Sequence, residues 1–388
     1  MACDGWSAMM TDLPGFLPSL PRYGECSLAD LASSVLASLG AAAEPNPLQL
    51  PYADRACLLV IDGLGWESLR EHAAAAPFLS ELAVSGRPLT AGFPAATVTS
   101  LGSLGTGRPP GQHGMLGTRV AVPGEGKLLN GLRWDSSVDP LVWQPGATIY
   151  ERAAGAGVSA YHVAASALEK TGLSTAVMRG NVYRPADSMG ALAAEARDAL
   201  RRADRAVVTV YHGQLDSTGH VFGCGSDAWR YHLGHVDKLA EQLAGAIPGG
   251  TSLYITADHG MVDVGPDDRI DVDAIPALRE GVELLGGEPR ARHLYAVPGA
   301  AADVLSAWRS IVGNRAWVLS REEAVAAGWF GPVAPRLADR IGDVVVAPVG
   351  SGAVIASKTE VLESSLIGMH GSLTSSDQLV PLLSLTAL

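Results

Sequence analysis

Three aspartates and three histidines, Asp62, Asp216, His220, Asp258, His259 and His370, each stand beside a glycine or at the end of an apolar run. Mixed carboxylate and imidazole donors suit Zn²⁺, or alternatively Mn²⁺, better than Ca²⁺ or Cu⁺, and six of them suffice to hold two divalent metal ions. Such a pair of ions makes a phosphoryl-transfer centre once a nucleophile is added. Thr97 supplies it. Phe93-Pro94-Ala95-Ala96 reads as a turn leading into a small-residue helix. Thr97 therefore falls near a helix N-terminus, where free amides and the helix dipole attract a phosphate oxygen. Taken singly, these residues have plainer roles as turn acceptors, solvated loop residues or a helix cap. Their joint occurrence is what points to chemistry.

The elements that must position them alternate between strand and helix. Cys57–Ile61, Ala206–Tyr211 and Ser252–Ala257 are continuous β-prone runs of the kind covered on both faces in a parallel sheet. A helix is expected over Glu67–Leu82 with a break near Pro77. A stronger one starts at Ser226 and Asp227, carries Trp229, Leu233, Val236, Leu239 and Leu243 at helical spacing, and stops at Pro248-Gly249-Gly250. Arg292–Val297, Ala301–Val312, Trp317–Leu319 and Val344–Ala347 continue the alternation. The predicted fold is α/β, a mainly parallel central sheet with helices on both faces. Ligands of such sheets bind beyond the carboxyl ends of the strands, where Asp62 and Asp258 stand and Asp216 follows after a short loop. His220 comes one helical turn after Asp216, so both can reach one metal. Asp258 and His259 are adjacent and converge only past the strand end, where Gly260 allows a turn.

Residues 118–143, rich in Gly, Pro, Asn and Asp, read as a small lid insertion over the site within a domain of residues 51–388. Residues 1–50 form an N-terminal extension with one amphipathic helix, marked by Leu28, Leu31, Val35, Leu36 and Leu39.

Composition narrows the function classes. A hydrophobic content of 47% excludes a mainly disordered chain. A net charge of −12 argues against the basic surface that grips a nucleic-acid polymer, so the expected partner is a small-molecule phosphate ester drawn in by metals. Met1–Pro14 shows no secretory pattern, and the apolar runs fall far short of the roughly 20 residues that span a bilayer. A cytoplasmic protein without a membrane partner is expected. Cys3, Cys26, Cys57 and Cys224 lack metal or redox spacing and are expected to be free thiols.

In their order along the chain, Asp62, Thr97, Asp216 to His220, Asp258-His259-Gly260 and Met369-His370-Gly371 resemble the type I phosphodiesterase and nucleotide pyrophosphatase branch of the alkaline phosphatase superfamily. The resemblance runs from about residue 56 to the C-terminus and includes the segment from Thr106 to Gly114 that closes the nucleophile's helix. It implies an alkaline-phosphatase-like fold and two metal ions, with Asp216, His220 and His370 on one zinc and Asp62, Thr97, Asp258 and His259 on the other. It also implies a covalent phosphothreonine intermediate. Ser100 and Thr118 stand where that family often has asparagines, the second of which usually touches a non-bridging phosphate oxygen. That contact is left here to the Thr118 hydroxyl or the Val98 amide.

Two divalent ions and three aspartates leave the site at about +1, which suits a monoanionic diester better than a dianionic monoester. The expected activity is metal-dependent hydrolysis of phosphodiester or pyrophosphate bonds in nucleotide-like or other small diesters. Thr118 and Trp134 are the expected substrate contacts, Trp134 by stacking on a base or aryl group. The alternatives are a phosphonoacetate-type phosphonate hydrolase, which needs cationic contacts for a carboxylate, a phosphomonoesterase, and a metal-stabilised binding module.

Overall fold

The computed structural model describes residues 17–387; Cys3 and the stretch Met1–Pro14 lie outside them. The central sheet has seven strands: β1 (Arg55–Ile61), β2 (Arg87–Thr90), β3 (Ser159–Ala164), β4 (Val182–Pro185), β5 (Ala206–His212), β6 (Thr251–Thr256) and β7 (Leu379–Thr386). Their spatial order is β2-β7-β6-β1-β5-β3-β4. From β6 to β4 the neighbours run parallel, while β7 pairs antiparallel with both β6 and β2. The three apolar runs are thus side by side as β6, β1 and β5, and β5 and β6 are buried along their whole length. This is the α/β architecture that the sequence predicts.

The helices that matter for the site are α1 (Leu28–Ser38), α2 (Thr97–Thr106), α3 (Met189–Leu200), α4 (Gln214–Phe222) and α5 (Asp227–Ala246). The Ser226 hydroxyl caps α5 by accepting the Trp229 N–H at 3.2 Å, and the five predicted apolar positions of that helix are buried. The helix expected over Glu67–Leu82 is interrupted more fully than predicted, into Trp66–Glu71, a 3-10 turn at Ala73–Ala75, and Pro77–Ala83. Pro77 opens the last piece because the first helical position needs no N–H. Helix α1 is buried on more than its apolar stripe, Ser33 and Ser34 included, because it lies between the sheet's edge and α2. Among the described residues no helix is long and apolar enough to cross a membrane, and Cys26, Cys57 and Cys224 are free.

One expectation changes. The strand-forming stretches between residues 282 and 348 do not extend the parallel sheet; Val282–Glu288, Ala291–Ala296, Val344–Pro348 and Ala316–Ser320 form a separate antiparallel sheet in that order. Their apolar periodicity is the same in either setting, and only the short Pro289-Arg290 connection, too short for a crossover, marks the first pair as a hairpin. A hairpin of Arg119–Val122 and Lys127–Asn130 rests on this second sheet, with Arg119 Nη2 donating to Leu285 O at 3.1 Å.

Helix α2 ends at Gly107, whose φ of +63° is cheap only for glycine. The chain then turns through Pro110–His113, and His113 has two bonds, one of them to α2. Its Nδ1 accepts the Met115 N–H at 3.1 Å and its Nε2 faces Ser103 Oγ at 3.2 Å, which assigns the proton to Nε2. Burial, aided by the charge of Arg340, pushes this imidazole down to about 3. The unfolded chain therefore takes up the proton first, so this contribution is complete above the ordinary histidine range and fades as pH falls through it toward about 3. Urea midpoints measured at about pH 7 and about pH 4.5 should fall more steeply for the native protein than for His113→Gln. Equal pH dependence in the two proteins would remove this account of the corner.

Candidate active site

Asp62 follows β1, Asp258 follows β6, and α4, which carries Asp216, starts two residues past β5. Because β6, β1 and β5 are parallel neighbours, their carboxyl ends deliver the three aspartates to one rim. Asp216 and His220 lie four apart on α4 and so share a face, with His220 Nε2 3.3 Å from Asp216 Oδ2. His259 Nε2 lies 3.3 Å from Asp62 Oδ1 and 3.7 Å from Asp258 Oδ2. His370 Nε2 is 3.9 Å from Asp216 Oδ1, and its ring stacks on that of His259 with centroids 3.6 Å apart. The six ligand-type side chains fall into two groups, Asp216 with His220 and His370, and Asp62 with Asp258 and His259. Within each group the donor atoms lie within 4.8 Å of one another.

Gly260 acts differently from the sequence expectation. Its φ is not left-handed; instead a Cβ there would come within 2.0 Å of Ser376 O. What the site needs at this position is close approach of the C-terminal segment, and the Gly260 N–H donates to Asp377 O at 2.9 Å.

The donors are oriented by the protein in a consistent way. All three histidines point Nδ1 at a backbone carbonyl, His220 at Gly368 O (2.7 Å), His259 at Gly260 O (3.1 Å) and His370 at Ala95 O (2.9 Å). A carbonyl only accepts, so each Nδ1 carries the proton and each Nε2 presents a lone pair inward. Asp62 and Asp258 each have one oxygen engaged, and Asp62 Oδ1, Asp216 Oδ1 and Asp258 Oδ2 are buried without a hydrogen-bond partner. Asp258 Oδ1 accepts the N–H groups of Gly63 and His259, each at 3.1 Å. Burial, then the charges of Asp258 and Asp216, push the Asp62 carboxyl well above the usual range. Three acids crowded into one buried rim mark a site short of positive charge. Buried carboxylates with idle oxygens, facing neutral imidazole lone pairs, fit divalent cations.

Thr97 is the first residue of α2, with Ala96 as the cap, so its side chain is not spent on capping. Its hydroxyl lies 3.2 Å from His259 Nε2. The Ala95 N–H donates to Gly371 O at 3.0 Å while Ala95 O accepts from His370, which ties the turn before Thr97 to the last ligand.

Two cavities meet at Thr97, Asp216 and Leu132, one of about 370 Å³ and one of about 180 Å³. Thr118 lines the smaller one, as do Asn130 and Arg133. Trp134 lines neither. Its indole N–H donates to Val138 O at 2.7 Å, and its ring packs against Gly172 and edge-on to Trp143. Trp143 is buried under the Arg340 guanidinium, 3.5 Å from its ring centre. Ser100 is buried in α2, and its hydroxyl has no partner.

Two residues escaped the sequence reading. Tyr211, at the end of β5, donates its hydroxyl to Asp62 Oδ2. Glu288, in the second sheet, accepts the Thr118 N–H at 2.9 Å and lines the smaller cavity, its carboxyl pushed up by burial. Tyr211 looked like one more apolar strand residue, and nothing near Glu288 in sequence ties it to Thr118.

A family model described as type I phosphodiesterase / nucleotide pyrophosphatase matches residues 56–373. No curated protein sequence matches the chain significantly. Among solved structures, an inactive variant of murine ectonucleotide pyrophosphatase / phosphodiesterase 5 in complex with AMP superposes with a TM-score of 0.68 at 18% identity, covering 84% of this chain and 87% of that one. The human counterpart gives 0.66 at 19%, covering 85% and 87%. Phosphonoacetate hydrolase from Sinorhizobium meliloti 1021, in complex with phosphonoformate, gives 0.66 at 21%, covering 87% and 91%. At these identities the structural likenesses speak for the fold.

Tyr211→Phe keeps the ring and removes the donor, leaving a second Asp62 oxygen buried and unbonded. It should destabilise the protein by about 1–3 kcal/mol in urea unfolding. A change indistinguishable from zero would show that the hydroxyl does not hold Asp62.

Proposed function

Because the chain belongs to the type I phosphodiesterase / nucleotide pyrophosphatase family, we propose that it hydrolyses small phosphodiesters, or the pyrophosphate bonds of nucleotide-like substrates, with Thr97 as nucleophile. The observation that carries the diester reading is the pair of cavities meeting at Thr97, one for each substituent of a diester. Asp216, His220 and His370 would hold one divalent ion, and Asp62, Asp258 and His259, with Thr97, the other. When bound, Zn²⁺ or Mn²⁺ supplies Lewis acidity and offsets the three aspartates.

The chain's own residues do the rest. The first turn of α2 offers free amides, that of Val98 among them, to a non-bridging phosphate oxygen. The hairpin and the loop after it, within residues 118–143, act as a lid that places Thr118, Asn130 and Leu132 over the phosphoryl group. The Thr97 hydroxyl gives up its proton to solvent as its oxygen bonds to phosphorus in line and one ester P–O bond breaks, and the departing oxygen leaves with a proton from solvent. Water then cleaves the phosphothreonine and restores the hydroxyl.

A second reading is favoured by one residue. Arg133 is the only lysine or arginine in the wall of the smaller cavity. It supplies the cationic contact that a carboxylate-bearing phosphonate requires.

Purified protein should be assayed on bis(4-nitrophenyl) phosphate, 4-nitrophenyl phosphate and phosphonoacetate, with added Zn²⁺ or Mn²⁺ and after chelation. The diester should be cleaved fastest, chelation should abolish turnover, and Thr97→Ala should lower kcat by on the order of 10³ or more. Phosphonoacetate cleaved faster than the diester, with that preference lost in Arg133→Ala, would move the function to the second reading.

A further inference from the structure

We propose that the larger cavity beside Thr97 selects an uncharged apolar ester group, alkyl or aryl, on the phosphoryl substrate; this deepens the diesterase reading and rests on it. Its volume of about 370 Å³ is within the range of small-molecule sites. The wall is built from Leu132, Ala165, Leu168, Ala186, Met189 and Leu192, contributed by the 118–143 segment, by the chain following β3 and by α3.

The polar side chains of the same wall are engaged with protein partners. Asp187 accepts the N–H and hydroxyl of Ser166 at 2.8 and 3.0 Å. Ser188 caps α3 by accepting the Ala191 N–H at 3.2 Å. His212 Nε2 is bonded to His232 Nε2 at 2.8 Å, Ser217 donates to Gly213 O at 3.3 Å, and Tyr211 donates to Asp62. Gln214, the second Asp187 oxygen and the Ser188 hydroxyl proton keep bonding capacity, all on exposed residues.

Charge points the same way. Away from the metal centre the charged side chain of this wall is Asp187, and among the described residues no lysine or arginine lines it. A second phosphate or a carboxylate entering there meets repulsion from Asp187 with no basic side chain to offset it. An apolar group loses nothing by leaving water and gains about fourfold in affinity for each methylene buried. The smaller cavity, with Asn130, Arg133, Glu288 and Glu363 in its wall, is the polar side of the same centre.

The test uses methyl phosphodiesters whose second ester group is methyl, butyl, phenyl or carboxymethyl. Turnover is followed by phosphorus NMR on the metal-supplied native protein, and binding by calorimetry on Thr97→Ala. Butyl and phenyl should exceed methyl at least tenfold in kcat/KM and in affinity, and carboxymethyl should fall below methyl. Met189 is half-buried, so Met189→Glu is tolerable for folding, which circular dichroism checks. It should collapse the phenyl-to-methyl ratio, while Met189→Leu should keep it. A flat series, a preference for carboxymethyl, or a ratio unchanged in Met189→Glu overturns the proposal. If Thr97→Ala binds in the expected order but the native protein cleaves none of the diesters, the cavity assignment stands and the catalytic reading falls; turnover without any order does the reverse.

Discussion

Three buried carboxylates crowded onto one rim of a sheet set the terms for the rest of this molecule. Asp62 and Asp258 present oxygens within 4.8 Å of each other, and two like charges at that range repel by a few kcal/mol even in a moderately polar interior. Burial adds the cost of removing each from water. The protein answers only half of this. Gly63, His259 and Tyr211 satisfy one oxygen of Asp258 or Asp62, and the other oxygen of each is left to a partner the chain does not contain. The imidazoles follow the same logic, each anchored through Nδ1 so that its lone pair faces inward. Such a centre trades the stability of the bare chain for affinity toward cations.

That arrangement holds only if segments far apart in the chain meet with little tolerance. His370 and the turn before Thr97 are locked together through Ala95, 275 residues earlier. Gln378 reinforces the lock, its side-chain amide donating to Gly92 O at 2.8 Å and its carbonyl accepting the Ala91 N–H at 2.8 Å. Gly260 admits the same C-terminal segment from the other side. The placement of Thr97 and the placement of the aspartates and histidines are therefore one structural fact. The buried Arg290–Asp377 pair, 2.7 Å apart, fixes that C-terminal segment to the second sheet.

The second sheet also reaches the residues around Thr97. Thr118 stands where an asparagine is common, and its backbone is held by Glu288 from that sheet. The hairpin that follows brings Asn130, Leu132 and Arg133 toward Thr97 but turns Trp134 into the protein, where it packs on Gly172. An aromatic residue in a lid is as readily used to fix the lid as to meet a ligand, because burying the ring gains the same free energy in either place.

The sequence by itself determined the parallel core and the chemistry available to it. Strands buried on both faces leave continuous apolar runs, and the residues just past such runs must lie at one rim, so Asp62 and Asp258 were legible from local pattern alone, as was the helical spacing of Asp216 and His220. Only the tertiary structure decided the remainder. Whether the strands between residues 282 and 348 join the first sheet, which way Trp134 turns, and that Tyr211 and Glu288 reach the site all depend on contacts between distant segments. Such contacts impose no periodicity on the chain; a side chain's type fixes what it can bond, and the packing of the whole molecule fixes what it meets.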